Sequence, residues 1–432
     1  MSATVLSDPS DAPKSLYGRI PLFVKIIIGL VLGLIVGHFW GKGAGELKPI
    51  STNILYLLRL LATPLVFLAI ANAIIHTPIT GKSGLRLAYF VFTNTIMAIL
   101  IGLLVANVLQ PGSGGVPNTD GLEKIEGKKA FDVSHDLLEK AIPKNFIDGF
   151  QQNDIIPVLV MAIAFAVALR GVRRKGGAAG VAAVAQIFET LFQAVMVMLH
   201  WLFHLVPLAV FAVVAATVGT QGFEPLLKMG KFVVAVLVAL GLQATFYLIR
   251  LKFGSWLCPL QFLKHASDAL LMAFSTASSA ATLPVTFDCA REKMKVREEN
   301  ASLGVMVGGT FNHDGTALYE AMAALFISQM LGYHLDFSQQ VIVVLMSVIA
   351  SAGAAGIPEA GLVTMMAVFT AVKLPVEYIP LLLPLDWFLD RCRTAMNVMG
   401  DLTVTCLLDG KTKEDADESV EPSEDGGEVA IN

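Results

Sequence analysis

The densest chemistry in the chain lies between residues 386 and 401, where Asp386, Asp390, Arg391, Arg393, Asn397 and Asp401 interrupt an apolar run. At about 100° per residue, Asp386, Asp390, Arg393, Asn397 and Asp401 fall within an arc of about 80° on a helix, and Arg391 lies well off it. A charged residue at the centre of a membrane helix costs roughly 2.5–3.5 kcal/mol on insertion scales, so such a stripe is either used or paired. One reading is a structural ladder of ion pairs, Asp390 with Arg393. The other is a polar face for a zwitterion bearing an extra carboxylate. Arg393 then offers a planar fork to a carboxylate, Asp390 accepts from an ammonium group, and Asn397 does both. The second is the stronger reading.

A second group sits in Asn312-His313-Asp314-Gly315-Thr316, inside the apolar stretch Val305–Phe326. Asn312 and Asp314 supply hard oxygens suited to a small cation, and Gly315 can loosen the helix and free carbonyls for it. A lone core histidine is more often a packing residue than a ligand, and that is the default for His313. Glu320 lies six residues beyond Asp314. Burial favours the neutral acid over the carboxylate, so Glu320 is a candidate proton carrier; the competing reading is a glutamate facing a water-filled crevice. The cluster Ser275, Thr276, Ser278, Ser279 and Thr282 is either small-residue helix packing or the lining of a pocket.

These residues need elements to hold them, and composition says which. The chain has 432 residues, 55% hydrophobic and only 15% charged, where soluble globular chains carry about a quarter charged. Mean hydropathy is +0.67, and apolar runs of the length that spans a bilayer recur throughout. They fall near 21–40, 52–76, 87–109, 155–170, 181–217, 230–250, 300–331 and 376–408. Two more, 266–290 and 338–372, are broken by small residues and a proline, at 278–284 and 354–358. Backbone that leaves the helix at membrane depth is tolerated only where protein or a cavity surrounds it. These two therefore read as re-entrant hairpins with tips near mid-membrane; their likeness is either a weak internal repeat of the kind that marks transporter sites or a chance similarity of two small-residue tips. The fold class is an all-α polytopic membrane protein.

Basic residues set the orientation. Lys14 and Arg19, Lys82 and Arg86, the cluster 170–175, Arg250, Lys252 and Lys264, and Arg291 to Arg297 all fall on one side when spans alternate. That side is cytoplasmic and carries both termini, and the segment 110–154 reads as an exterior loop. The tail after Gly410 is acidic and poor in apolar residues, so it is expected to be disordered. Net charge is −4, which leaves no nucleic-acid footprint. Cys258, Cys289, Cys392 and Cys406 form no CxxC pair and read as packing residues. No GxxxxGK[ST] loop is present, which argues against an ATP-driven pump. No cleavable signal peptide is expected.

Four motifs carry a family resemblance: SSAATLP at 278–284, NHDGTALYEA at 312–321, AAGIPEAG at 354–361 and DWFLDRCRTAMNVMGD at 386–401. With them the chain resembles the dicarboxylate/amino acid:cation symporters, the family of the excitatory amino acid transporters and the archaeal aspartate transporters. The resemblance implies eight transmembrane helices plus two re-entrant helical hairpins, an elevator-type fold, and usually a homotrimer among membrane lipids. It implies a scaffold of residues 20–86 and 111–222 and a transport domain of 87–110 and 223–409, flanked by cytoplasmic tails at 1–19 and 410–432. It places the chain in the plasma membrane, the inner membrane if the source is bacterial.

Carried over by motif, Arg393 holds a substrate side-chain carboxylate and Asp390 its amino group. Thr394 and Asn397 meet the main-chain carboxylate and amine, and Thr316 lines the site. Ser278 and Ser279 at one tip, and Ile357, Pro358, Glu359, Ala360 and Gly361 at the other, close around the substrate. One implied sodium site uses Gly308, Asn312, Asn397 and Asp401. A second uses Thr310, His313, Ser351, Ala352 and Ala354, and Asp314 serves a third. In this resemblance Arg393 favours an acidic side chain and Asp390 an amine, so aspartate or glutamate is the implied substrate. No organic cofactor is implied, and the chain is not an enzyme.

Two departures bear on coupling. His313 replaces the family's usual methionine, and the third-span pattern Tyr-x-x-Thr-Ser/Thr appears as Val91-Phe92-Thr93-Asn94-Thr95. Both point away from three-sodium coupling and towards coupling partly or wholly to protons, with Glu320 and His313 as the candidate titrating groups. The rivals are a C4-dicarboxylate symporter of the same fold, an anion-conducting channel-like member, and an intramembrane hydrolase using Ser279, His313 and Asp314. The hydrolase lacks any GxSxG or HExxH context.

Overall fold

The structure is a computed structural model that describes residues 22–76, 81–114, 145, 147–152, 155–352 and 360–411. Among the described residues it is all helix, turn and loop, with no strand. In chain order, α1 (Leu22–Trp40) runs through a 3-10 turn (Gly41–Leu47) into α2 (Lys48–His76), followed by α3 (Gly81–Leu109) and the short α4 (Asp148–Gln152). Next come α5 (Ile155–Arg174), α6 (Ala178–Phe203), α7 (Val206–Gln221) and α8 (Glu224–Gly254). Then α9 (Pro259–Thr276) and α10 (Ser279–Asp288) lead through a π turn (Cys289–Lys293) to α11 (Glu298–Ala301), a second π turn (Ser302–Gly308) and α12 (Gly309–Phe311). The described chain closes with α13 (Asp314–Met330), α14 (Phe337–Ala352), α15 (Ala360–Ala371), a 3-10 turn (Val376–Leu382) and α16 (Leu383–Asp409). The stretches Val24–Asn72, Ser83–Leu109, Ala178–Phe203 and Glu224–Gly254 are long and apolar enough to cross a membrane. The chain is a multi-pass membrane protein.

Several boundaries differ from the apolar runs. The run 181–217 is two helices, α6 and α7, parted at His204 and Leu205. One helix of that length would measure about 55 Å across a hydrocarbon core about 30 Å thick. Pro207, in the first turn of α7, disfavours continuous helix before it. The run 300–331 breaks at Asn312 (φ −89°, ψ 88°) and His313 (φ −117°, ψ 51°), so Gly315 does not loosen the helix as expected but sits in the first turn of α13. The run 376–408 begins as a 3-10 turn and becomes α-helix only at Leu383. Arg250 is no loop charge; it lies inside α8.

The helices pack in two groups. In the first, α1 packs on α7, and α2 on α5, α6 and α7. Gly29, Gly33 and Gly37 make the α1–α7 contact possible: a Cβ at these positions would meet the carbonyl oxygens of Pro207 at 2.4 Å, Phe211 at 2.8 Å and Ala215 at 2.6 Å. Small residues every fourth position let membrane helices approach this closely. In the second group, α3 packs on α8 and α13, and α16 packs on α8, α9, α10 and α13. Contacts between the groups run chiefly through α15 and the 3-10 turn Val376–Leu382, against α2 and α7.

The first expected hairpin is α9 and α10, packed together and joined at Ala277, in the left-handed region (φ 52°). The Ser278 hydroxyl caps α10 by accepting from the Ala281 amide at 3.1 Å, as a serine N-cap does. Pro284, expected to help break this segment, lies inside α10 instead. The second pair, α14 and α15, also pack together. Its connecting residues, including Ala354, Ile357, Pro358 and Glu359, lie outside the described residues, as do most of the segment 110–154 and the tails 1–19 and 412–432.

The far end of α16 is pinned by Asp409, whose side chain is 0% exposed. Its Oδ1 accepts from Arg297 Nε at 2.9 Å and Asn300 Nδ2 at 2.9 Å, and its Oδ2 accepts from Trp256 Nε1 at 3.2 Å. One carboxylate thus ties α16 to the α8–α9 link and to the return from the first hairpin. Replacing Asp409 by Ala strips these donors of their acceptor, and hydrogen bonds to charged groups contribute about 1.5–3 kcal/mol each. Asp409→Ala is expected to lower the thermal midpoint of the detergent-solubilised protein by several degrees, and Asp409→Asn by less. An unchanged midpoint in both would remove Asp409 as a clasp.

Candidate functional site

The site is built where α13, α15 and α16 meet. The stripe on α16 is buried as its period predicts: Asp386, Asp390, Arg393, Asn397 and Asp401 all face inward, while Arg391 does not. Arg393 is 0% exposed. Its Nη2 pairs with Asp390 Oδ1 at 2.7 Å and Asp386 Oδ1 at 2.9 Å, and its guanidinium lies 4.0 Å from the centroid of the Tyr319 ring. Its Nε and Nη1 are buried without a hydrogen-bond partner among the described residues. An ion-pair ladder therefore exists, but it uses one nitrogen of the guanidinium and leaves the N–H groups of the other two unpartnered among the described residues, an arrangement ready for a second, external carboxylate.

The backbone is brought close to this group. A Cβ at Gly315 would lie 2.6 Å from the Arg393 carbonyl oxygen, a main-chain atom that cannot turn aside, so α13 and α16 meet where one residue has no side chain. Gly361, at the start of α15, would place a Cβ 3.2 Å from Arg393 Nη1 and 3.2 Å from Thr316 Cγ2. Thr316 and Thr394 are buried. Asn397 joins the layers: its Oδ1 accepts from the Gly315 amide at 2.8 Å, and its Nδ2 points to Thr316 Oγ1 at 3.4 Å. Ser278 and Ser279 are buried at the first tip, with the Ser278 hydroxyl occupied by its cap. Arg391 bonds from α16 to the carbonyl oxygens of Phe274 and, closer still, Ser275, next to that tip.

The oxygen-rich groups gather beyond Asn397. Asn312 donates from Nδ2 to Asp401 Oδ1 at 2.9 Å and to the Asn397 carbonyl at 3.2 Å, which is what draws the chain out of helix at the 312–313 break. Its Oδ1 is buried and unpaired among the described residues, and Gly309 lies against the Asp401 carboxylate. Asn312, Asn397 and Asp401 are thus together, with Gly308 buried one turn before Asn312. The donor set suits a small hard cation.

The second implied set is looser. His313 is buried and approaches the main chain of Ser351, yet neither ring nitrogen makes a well-aligned hydrogen bond among the described residues. Ser351 Oγ bonds to the Val348 carbonyl at 3.1 Å and Thr310 Oγ1 to Met306 at 3.0 Å, each within its own helical turn. Ala352 ends α14, and Ala354 lies outside the described residues.

Asp314 has its own cage, with Thr95 Oγ1 donating to Oδ1 at 2.6 Å and the Tyr247 hydroxyl to Oδ2 at 2.5 Å. Glu320 is fully buried; Thr364 on α15 donates to its Oε1, and its Oε2 has no partner among the described residues. Asp386, Tyr319, Tyr247 and Thr364 were not singled out from sequence as site residues. Asp386 stands on the stripe, but nothing local marks the other three, whose partners Glu320, Asp314 and Arg393 are 44, 67 and 74 positions away.

Comparison with known proteins fits this geometry. A family model described as "Sodium:dicarboxylate symporter family" matches residues 22–411. A "Proton/sodium-glutamate symport protein" from Bacillus caldotenax is 32% identical, covering 90% of this chain and 94% of its own length. "Excitatory amino acid transporter 1" from Ambystoma tigrinum is 30% identical over 88% of this chain and 80% of its own length. A "C4-dicarboxylate transport protein" from Xanthomonas campestris pv. campestris (strain B100) is 30% identical over 93% and 90%. With its central arginine–aspartate group and a match over nearly the whole described chain, this protein belongs to the sodium:dicarboxylate symporter family.

Proposed function

We propose that this chain is a secondary active symporter for acidic amino acids, L-aspartate or L-glutamate, driven by sodium or proton gradients or both. The observation that carries the reading is Arg393, with Nε and Nη1 unpartnered among the described residues and Nη2 anchored to Asp386 and Asp390. A substrate side-chain carboxylate takes the free donors, and Asp390 accepts from the substrate ammonium. Thr316, Thr394 and Asn397 are left for the main-chain carboxylate and amine.

Charge balance then asks for a cation. As carboxylates, Asp386, Asp390 and Asp401 outweigh Arg393, and an acidic amino acid adds a further net negative charge. Burying that excess at membrane depth is costly unless cations enter with it. The Asn312–Asn397–Asp401 oxygens suit a sodium ion, and Glu320 is suited to carry a proton.

The reading includes eight spans and two re-entrant hairpins, α9–α10 and α14–α15. Residues 87–110 and 223–409 form a transport domain that moves across the membrane like an elevator, against a scaffold of 20–86 and 111–222. The division into two helix groups supports that partition. It also includes a homotrimer; α6 exposes Ile187, Leu191, Val197, Met198 and Trp201, a face suited to lipid or a second copy.

Relatives named as C4-dicarboxylate transport proteins favour a second reading, in which the substrate lacks an amine. Labelled L-aspartate uptake into proteoliposomes separates the two: L-glutamate is expected to compete strongly and tenfold excess succinate weakly. Strong inhibition by succinate with none by glutamate would overturn the amino acid reading. Arg393→Cys is expected to reduce aspartate uptake at least about 30-fold, since truncating one partner of a buried charge pair costs about 2–5 kcal/mol. Wild-type uptake kinetics in that variant would exclude Arg393 from the site. With sodium and proton gradients imposed separately, Glu320→Gln is expected to flatten the pH dependence of uptake; full retention of that dependence would assign the proton elsewhere.

A further inference from the structure

The carboxylate of Asp314 stands at the start of a helix buried on every side. Its two hydroxyl donors, Thr95 and Tyr247, are neutral, and neutral donors do not cancel a buried charge. The neighbouring residue of α3, Asn94, is also fully buried. Its carbonyl oxygen accepts from Gln243 Nε2 at 3.3 Å, and its side-chain oxygen accepts from Arg250 Nη1. The same nitrogen reaches Thr93 Oγ1 at 3.1 Å. The guanidinium is held over the rings of Phe90 and Phe246, 5.4 and 5.6 Å from their centroids. Arg250 lies three residues after Tyr247 on α8, so the two reach the same patch of α3 from adjacent turns.

We propose that Arg250 is the resident cation of the Asp314 cage, a tethered guanidinium that holds this carboxylate's field in place of a bound metal ion. Both oxygens of Asn94, the neighbour of Thr95, already face N–H donors, and a second positive charge beside the guanidinium would be repelled. The Asp401 group has no such arginine among the described residues and remains the place for a mobile cation. The inference concerns the cation alone, and its test needs no substrate, so it stands or falls separately from the acidic amino acid reading.

The test is thermal unfolding of detergent-solubilised full-length protein in sodium chloride against choline chloride at equal ionic strength. Wild type and Asp314→Asn are expected to respond to sodium alike. Arg250→Met is expected to gain a saturable, sodium-specific rise of about 3 °C that is absent from Arg250→Lys and lost in Arg250→Met/Asp314→Asn. Loss of the wild-type sodium response in Asp314→Asn would overturn the proposal, because Asp314 would then already serve sodium beside Arg250. So would the absence of any gain in Arg250→Met. Should Arg250→Met not fold, Arg250→Gln gives the same comparison, and the wild-type and Asp314→Asn arm decides without either.

Discussion

Everything around the site answers to one buried guanidinium. A permanent charge with no exposed surface cannot neutralise itself by releasing a proton, because arginine does not titrate in proteins, so the protein must bring charge and ring surface to it. Asp386 and Asp390 do so from its own helix and Tyr319 from the next. That requirement fixes the distance between α13 and α16, which only a residue without a side chain at 315 permits. It also fixes where α15 begins, since Gly361 lies against the same guanidinium. Asn397 and Asn312 then carry the order outward, each amide joining two layers.

Much of this was legible in the sequence because it is periodic. A stripe of charge and amide on one face of an apolar helix has few uses, and the helical repeat alone places its members together. Cross-helix causes were not legible. The break in the chain was assigned to Gly315, the residue whose type permits bending. It falls at Asn312 and His313 instead, because the Asn312 side chain is engaged by Asn397 and Asp401, 85 and 89 positions away. Arg250 was read with the basic residues that flank spans, since hydropathy falls there. The helix runs on to Gly254, and the arginine turns back towards α3. Hydropathy also merges α6 with α7, because a turn of only two residues, His204 and Leu205, is too short to interrupt the apolar run.

The two helix groups are held by different physics. In the first, small residues on α1 let backbones touch, and packing supplies the cohesion. In the second, hydrogen bonds and ion pairs join α3, α8, α13 and α16: Thr95 and Tyr247 to Asp314, Asn397 to Gly315, and Arg250 to Asn94. A group joined by polar contacts resists internal rearrangement, because opening any contact leaves a polar atom unsatisfied in a low-dielectric interior.

The burial of α13 has a consequence for how the protein is made. This helix is 17 residues long, carries Asp314 and Glu320, and is not among the stretches apolar enough to cross a membrane. It has no face to offer lipid. On its own it would partition poorly from the translocation machinery, and two of the helices it contacts through polar groups, α15 at Glu320 and α16 at Gly315 and Thr316, are synthesised after it. Chains emerge from the N-terminus first, so α13 must be held, or inserted provisionally, until α16 arrives. The candidate site is thus the last part of the molecule to be completed during biogenesis, and truncation before residue 383 would leave Gly315, Thr316 and Tyr319 without their contacts to Asn397 and Arg393.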